Sequence, residues 1–233
     1  MREPLPIVMV PGLLCSARLY GDQVPELWRI GPVTIADPTR DDTLAAIASR
    51  LLATAPPRFC LVGLSMGGYL AFEVLRQARE RVLRLALLDT SARADTPEQS
   101  AQRRALIALA REGRFSDIVE ALFPRLVHPD HQQDRALWHV VQAMADDVGP
   151  EAFVRQQTAI LGRPDSRSEL PGIACPTLVL VGDADVITPP DVAREMSDAI
   201  PGARLVVVPD AGHASPLEAP AAVTRELVGF LTA

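Results

Sequence analysis

Aromatic residues make up only 4% of the 233 positions, and no hydrophobic run approaches the roughly 18 residues of a membrane span. Positive charge is not in excess either. The 23 Lys and Arg stand against 29 Asp and Glu, and a formal net charge of −6 gives no electrostatic reason to expect nucleic acid as a partner. Cysteine is scarce and unpatterned: Cys15, Cys60 and Cys175 lie far apart without metal-ligand spacing. Reduced thiols in a cytoplasmic protein are the expectation. The start, Met1-Arg2-Glu3-Pro4, runs into the short apolar Ile7–Val10, less than a signal peptide needs.

What is present is the composition of a globular domain, 48% hydrophobic and 22% charged, in a chain long enough for a large core. Six short runs read as strands: Ile7–Val10, Val33–Ala36, Phe59–Val62, Leu83–Leu88, Thr177–Val181 and Leu205–Val208. They are continuously apolar rather than alternating, as parallel strands buried on both faces require. Helical stripes such as Leu44, Ile47, Ala48, Leu51 and Leu52 separate them. This alternation predicts an α/β fold with a mainly parallel six-stranded sheet flanked by helices. It breaks once, between Leu88 and Cys175, where only helical patterns occur, around Gln99–Glu112, Asp117–Leu122, Asp134–Ala145 and Glu151–Leu161. The expected organisation is a core of residues 1–90 and 175–233, with a helical cap inserted at 91–174.

The sharpest local motif is Gly63-Leu64-Ser65-Met66-Gly67-Gly68, directly after one strand and before a helix. A Gly-x-Ser-x-Gly turn in that frame holds the serine on a strained backbone, and the flanking glycines admit neighbouring main chain. It exposes the Ser65 hydroxyl at the carboxyl edge of the sheet and sets the Met66 N–H at a helix N-terminus, facing developing negative charge. A general base is then needed. His128, His131 and His139 fall in the insertion, whereas His213 follows the last strand on a loop able to reach that edge. For the carboxylate that orients the histidine, Asp185 and Asp183 follow the fifth strand and Asp89 ends the fourth. All three are candidates on position alone.

The motifs Val10-Pro11-Gly12-Leu13-Leu14, Gly63–Gly68, and Gly182–Pro189 with Gly212-His213 and Glu218-Ala219-Pro220 together resemble the α/β-hydrolase superfamily. Within it the chain is similar to small bacterial capped carboxylesterases and pimeloyl-carrier-protein methyl ester esterases. The resemblance implies the α/β-hydrolase fold, in its compact form with strand order 2-1-3-4-5-6. It places the acid at Asp185, three residues after the glycine that ends its strand. The Leu13 N–H then joins that of Met66 in an oxyanion hole. Two departures stand out: Pro11 occupies the usual histidine position, and Ala36–Arg40 lacks the usual Gly-x-Gly-x-Ser continuation. The implied activity is a serine hydrolase cleaving a small or medium carboxylic ester through an acyl-enzyme on Ser65, with Asp185 and His213, and with neither cofactor nor metal. The same triad serves thioesters, carrier-protein esters or carbon–carbon bonds, and also occurs in ligand receptors with little turnover. Tyr69 stands where the menaquinone-pathway lyase type has arginine.

Other groups carry weaker readings. His128-Pro129-Asp130-His131 has minimal metal-ligand spacing but reads first as a polar, proline-broken loop. Arg103, Arg104, Arg111 and Arg114 form a solvated helix face or a docking face for an acidic carrier protein. Arg163 and Arg167 lie where the cap rejoins the sheet and are candidates for contact with a substrate carboxylate. Few aromatics imply aliphatic pocket walls, from Leu106, Ile107, Leu122, Val141 and Met144, suited to small or medium uncharged acyl groups.

Overall fold

The six apolar runs form β1 (Ile7–Val10), β2 (Val33–Ile35), β3 (Phe59–Leu64), β4 (Val82–Leu88), β5 (Thr177–Gly182) and β6 (Arg204–Val208) in the computed structural model, which describes residues 4–233. Met1, Arg2 and Glu3, read above as the lead into the first strand, lie outside the described residues. Every pairing is parallel, and the spatial order is β2-β1-β3-β4-β5-β6. The sheet reverses direction of growth between β1 and β3, and the carboxyl ends of its central strands face one rim.

The strands are apolar without interruption because alternate side chains enter two different cores. On one face Val8, Val10, Leu61, Val179 and Val181 pack beneath α2 (Leu44–Thr54), α3 (Met66–Ala78) and α7 (Pro190–Ala199). On the other, Ile7, Met9, Val62, Leu178 and Leu180 pack beneath α1 (Val24–Leu27) and α9 (Pro220–Thr232), which follows the short α8 (Ser215–Glu218). Fully burying each such side chain contributes roughly 1.5–3 kcal/mol, so both faces of the sheet drive folding.

Between β4 and β5 the described chain is helical: α4 (Pro97–Arg111), α5 (Phe115–Leu126) and α6 (Arg135–Leu161). Local chemistry sets their starts. Thr96 and Gln99 form a reciprocal capping box on α4, and the Asp134 carboxylate accepts from Ala136 and Leu137 N–H on α6. α6 breaks at Gly149, whose φ of 74° is readily reached by glycine, immediately before Pro150. The segment has its own cluster of Ala110, Ile118, Val119, Ala145 and Phe153. Leu14, from the loop after β1, inserts into it.

Candidate active site

Three strand ends supply the site. β3 leads into Ser65, whose φ of 54° and ψ of −114° place it in backbone space that residues with a Cβ rarely occupy. Such strain costs on the order of 1–3 kcal/mol and persists only where its surroundings fix it. Here Ser65 N–H donates to Leu88 O (3.0 Å), and Thr90 Oγ1 donates to Ser65 O (2.7 Å). A Cβ at Gly63 would run into the Gly67 carbonyl, and one at Gly67 into the Val10 carbonyl, so the elbow needs both glycines. Leu14 (φ 60°) and Asp89 (φ 44°) are strained in the same sense at the ends of β1 and β4.

The loop after β6 carries His213, which is 4% exposed, against this elbow. Its Nε2 lies 2.8 Å from Ser65 Oγ, and its Nδ1 lies 2.8 Å from Asp185 Oδ2. Asp185 is held from several sides. Its Oδ1 accepts from Ile187 and Thr188 N–H (2.8 and 2.9 Å), and its Oδ2 accepts from Thr188 Oγ1 (2.7 Å). Burial by itself would lift the Asp185 carboxyl, but the neighbouring imidazole charge and these hydrogen bonds hold it at about 2. Burial likewise disfavours imidazolium at His213, yet the Asp185 anion and its hydrogen bond leave the ring raised above the ordinary 6.5. The ring is thus poised to take a proton while tethered by an ionised partner.

The other two acid candidates are placed elsewhere. Asp183 is exposed, and its Oδ1 accepts from Ala211 N–H (3.3 Å), a turn contact. Asp89 is fully buried but already occupied, by Gly182 N–H on Oδ1 (2.9 Å) and Ser215 Oγ on Oδ2. Burial first, and then the adjacent Asp185 charge, push the Asp89 carboxyl well above its ordinary value. It braces the His213 loop from beneath.

Leu13 and Met66 flank Ser65. A Cβ on Gly12 would sit 3.2 Å from Ser65 Cβ, so the first loop passes directly against the elbow. Leu13 borders the cavity beside Ser65, and Met66 opens α3, where a helix cannot satisfy its own first N–H groups. The strained Leu14 is fixed by a group the sequence reading missed: its N–H donates to Oε1 of Gln156 (3.1 Å), a fully buried side chain of α6. The signal for Gln156 was its position among Ala152, Phe153, Ala159 and Ile160 on the buried face of that helix.

A cavity of about 160 Å³ opens over Ser65, walled by Leu106, Val119, Leu122, Val141 and Met144, with Arg103 and Gln157 among its polar lining. Ile107, expected in the wall, is buried but does not border the cavity. The four arginines do not share one face. Arg103 turns inward to Asp95 and Gln157, whereas Arg114 pairs on the surface with Asp117. Arg163 and Arg167 do not border the cavity. Arg163 contacts Asp95 and stacks over Tyr69 at 4.2 Å, and Arg167 is paired with Asp165. His131 Nδ1 meets Glu218 Oε2 at 3.0 Å, and the same oxygen accepts from His128 N–H. Among the described residues no three His, Cys, Asp or Glu side chains converge as metal ligands. Nor is any described helix long and apolar enough to cross a membrane.

A strained serine at a strand–helix elbow, a histidine from the last loop and a parallel sheet of this order define an α/β hydrolase. The family model of that description matches residues 7–226, and the chain belongs to the alpha/beta hydrolase family. It is 32% identical over 188 residues to a pimeloyl-[acyl-carrier protein] methyl ester esterase of Nitrosomonas europaea, covering 77% of this chain and 72% of that one. Among solved structures it superposes on a thermophilic esterase of Thermogutta terrifontis, determined with malate bound. The TM-score is 0.88 and the identity 32%, over 98% of this chain and 89% of that one. An enol-lactonase of Burkholderia xenovorans gives a TM-score of 0.89 at 27% identity, over 99% and 92% of the two chains.

Proposed function

We propose that the protein is a serine hydrolase that cleaves a small or medium carboxylic ester through an acyl-enzyme on Ser65. The observation carrying this reading is the unbroken chain from Ser65 Oγ to His213 Nε2 and from His213 Nδ1 to Asp185 Oδ2, each step 2.8 Å, at the floor of a cavity. His213 takes the Ser65 proton as Oγ attacks the carbonyl carbon, and the oxyanion forms against the Leu13 and Met66 N–H groups. The imidazolium returns its proton to the leaving alkoxide. Water, deprotonated by His213, then attacks the acyl-enzyme; the acid departs and Ser65 regains its proton. Residues 91–174 act as a cap that shapes the acyl pocket.

Similarity to an esterase named for a carrier-protein-linked methyl ester supports a narrower reading, in which the acyl group arrives on an acidic carrier. Salt-sensitive binding to such a carrier is its expected sign.

The test joins labelling to turnover. A fluorophosphonate should modify Ser65, with labelling lost in Ser65→Ala, and p-nitrophenyl butyrate should be hydrolysed with kcat falling on the order of 10⁶-fold in that variant, as for other serine nucleophiles. Labelling at another residue, or full activity in Ser65→Ala, overturns the assignment. Labelling without turnover of any oxygen ester moves the reading to thioester or carbon–carbon cleavage, or to a ligand receptor.

A further inference from the structure

We infer that the cavity ends in a carboxylate-binding subsite built from Gln157 and Arg103, so that the preferred acyl group carries an anionic far end. This rests on the hydrolase reading for the position of the ester and names the substrate class for the same site.

The polar side chains here are not paired off as a closed core would require. Gln157 is fully buried, and its amide orientation is fixed because Arg103 Nη1 donates to its Oε1 (2.9 Å). The Nε2 group must therefore point the other way, and it has no hydrogen-bond partner among the described residues. A buried amide N–H left without an acceptor costs about 1–3 kcal/mol, and the residue that carries it lines the cavity. Charge points in the same direction. Arg103 binds Asp95 through Nε (2.7 Å) and Nη2 (3.3 Å), and Arg163 Nη1 reaches the other side of that carboxylate at 2.8 Å. Two guanidiniums thus share one carboxylate, and the side chains of Asp95 and Arg163 are 3% and 6% exposed. With Arg103 20% exposed, the cluster is mostly buried and carries one surplus positive charge, which favours an anion. Arg103 retains N–H groups beyond those used by Asp95 and Gln157, and it lines the cavity together with Ser65. The aliphatic walls of the cavity that Ser65, Arg103 and Gln157 share suit a short methylene chain joining ester and carboxylate.

The experiment compares three p-nitrophenyl esters of equal acyl length, ending in carboxylate, methyl ketone or methyl, in the wild type, Gln157→Leu and Gln157→Glu. The expected kcat/KM order in the wild type is carboxylate, ketone, methyl, with about tenfold or more between the first and last. That ratio should collapse toward one in Gln157→Leu. It should drop below one in Gln157→Glu, which keeps an acceptor for Arg103 but presents negative charge to the ligand. Equal or better hydrolysis of the methyl-ended ester by the wild type, a ketone preferred to the carboxylate, or an unchanged ratio in Gln157→Glu overturns the inference. Should no ester be hydrolysed, the hydrolase reading falls separately, and calorimetric titration of Ser65→Ala decides. Tighter binding of monomethyl adipate than of methyl hexanoate upholds the subsite, and equal binding overturns it.

Discussion

The rim of the sheet and the helical segment above it use polar residues in opposite ways. At the rim both buried carboxylates have their partners: Asp185 is met from the Ile187–Thr188 backbone, Thr188 Oγ1 and His213, and Asp89 by Gly182 and Ser215. In the segment, Gln156 Nε2 and Gln157 Nε2 are buried without partners among the described residues. Fully satisfied networks hold a geometry, whereas open donors wait for a ligand or tolerate change. Under the proposed function, the contrast separates where bonds would be broken from where substrates would be chosen.

The largest test of that contrast lies at the rim. Asp185→Asn should lower kcat on the order of 10⁴-fold, by analogy with other triads, while Asp183→Asn on the exposed turn should remain within about threefold of the wild type. Parallel kinetics on one ester decide it, and a crippled Asp183→Asn beside a near-normal Asp185→Asn reverses the assignment.

Among the hydrogen bonds that cross between the regions, the one from Leu14 N–H to Gln156 Oε1 anchors the first loop. Gln156→Leu should therefore reduce kcat about tenfold to a hundredfold with little change in KM, because the loop holding the Leu13 N–H loses its anchor. Gln156→Glu offers an oxygen at the same reach and should restore most of the rate. A loss confined to KM would make Gln156 part of substrate binding instead.

A smaller effect is expected along the acyl chain. For p-nitrophenyl esters of two to sixteen carbons, kcat/KM should climb roughly fourfold per methylene until the cavity fills and then fall, since each buried methylene is worth about 0.8 kcal/mol. A maximum at or beyond about twelve carbons would show that the helices above Ser65 leave an open groove.

The smallest is a shift in pH dependence. In the proposed mechanism neutral His213 is the base, so kcat/KM should rise as pH passes through its pKa, with a midpoint above 6.5 in the free protein. The Asp185 anion raises that pKa against the effect of burial, so the residual activity of Asp185→Asn should show a lower midpoint. An unmoved midpoint would detach the rising limb from this pair.

The strands were legible in sequence because parallel strands buried on both faces leave continuous apolar runs; β1 was read to the residue, and the others to within one or two. Ser65 and His213 stood out through their neighbours in the chain. Position alone did not single out the orienting carboxylate, because Asp183, Asp185 and Asp89 all follow strands and only side-chain direction separates a turn contact, a histidine partner and a buried brace; it was the family resemblance that pointed to Asp185. Asp95, Gln156 and Gln157 were illegible for another reason. Their roles depend on contacts across the fold, such as Leu14 with Gln156, 142 positions apart. The arginine-rich α4 was read as one face, although a single inward turn at Arg103 changes what that helix does.

Glu218 gives the molecule a coupling that modular exchange would have to respect. Its buried carboxylate accepts from Gly212 N–H through Oε1 (2.8 Å) and from His128 N–H through Oε2, while Ala214 N–H donates to Leu126 O (2.8 Å). The backbone on both sides of His213 is thus stitched to the end of α5. A foreign segment grafted in place of residues 91–174 would leave Glu218 with one of its three partners, the Gly212 N–H, and the histidine loop with a free edge. Chimeras that exchange 91–174 together with 210–218 should therefore keep the base in register, whereas exchange of the segment alone should loosen it.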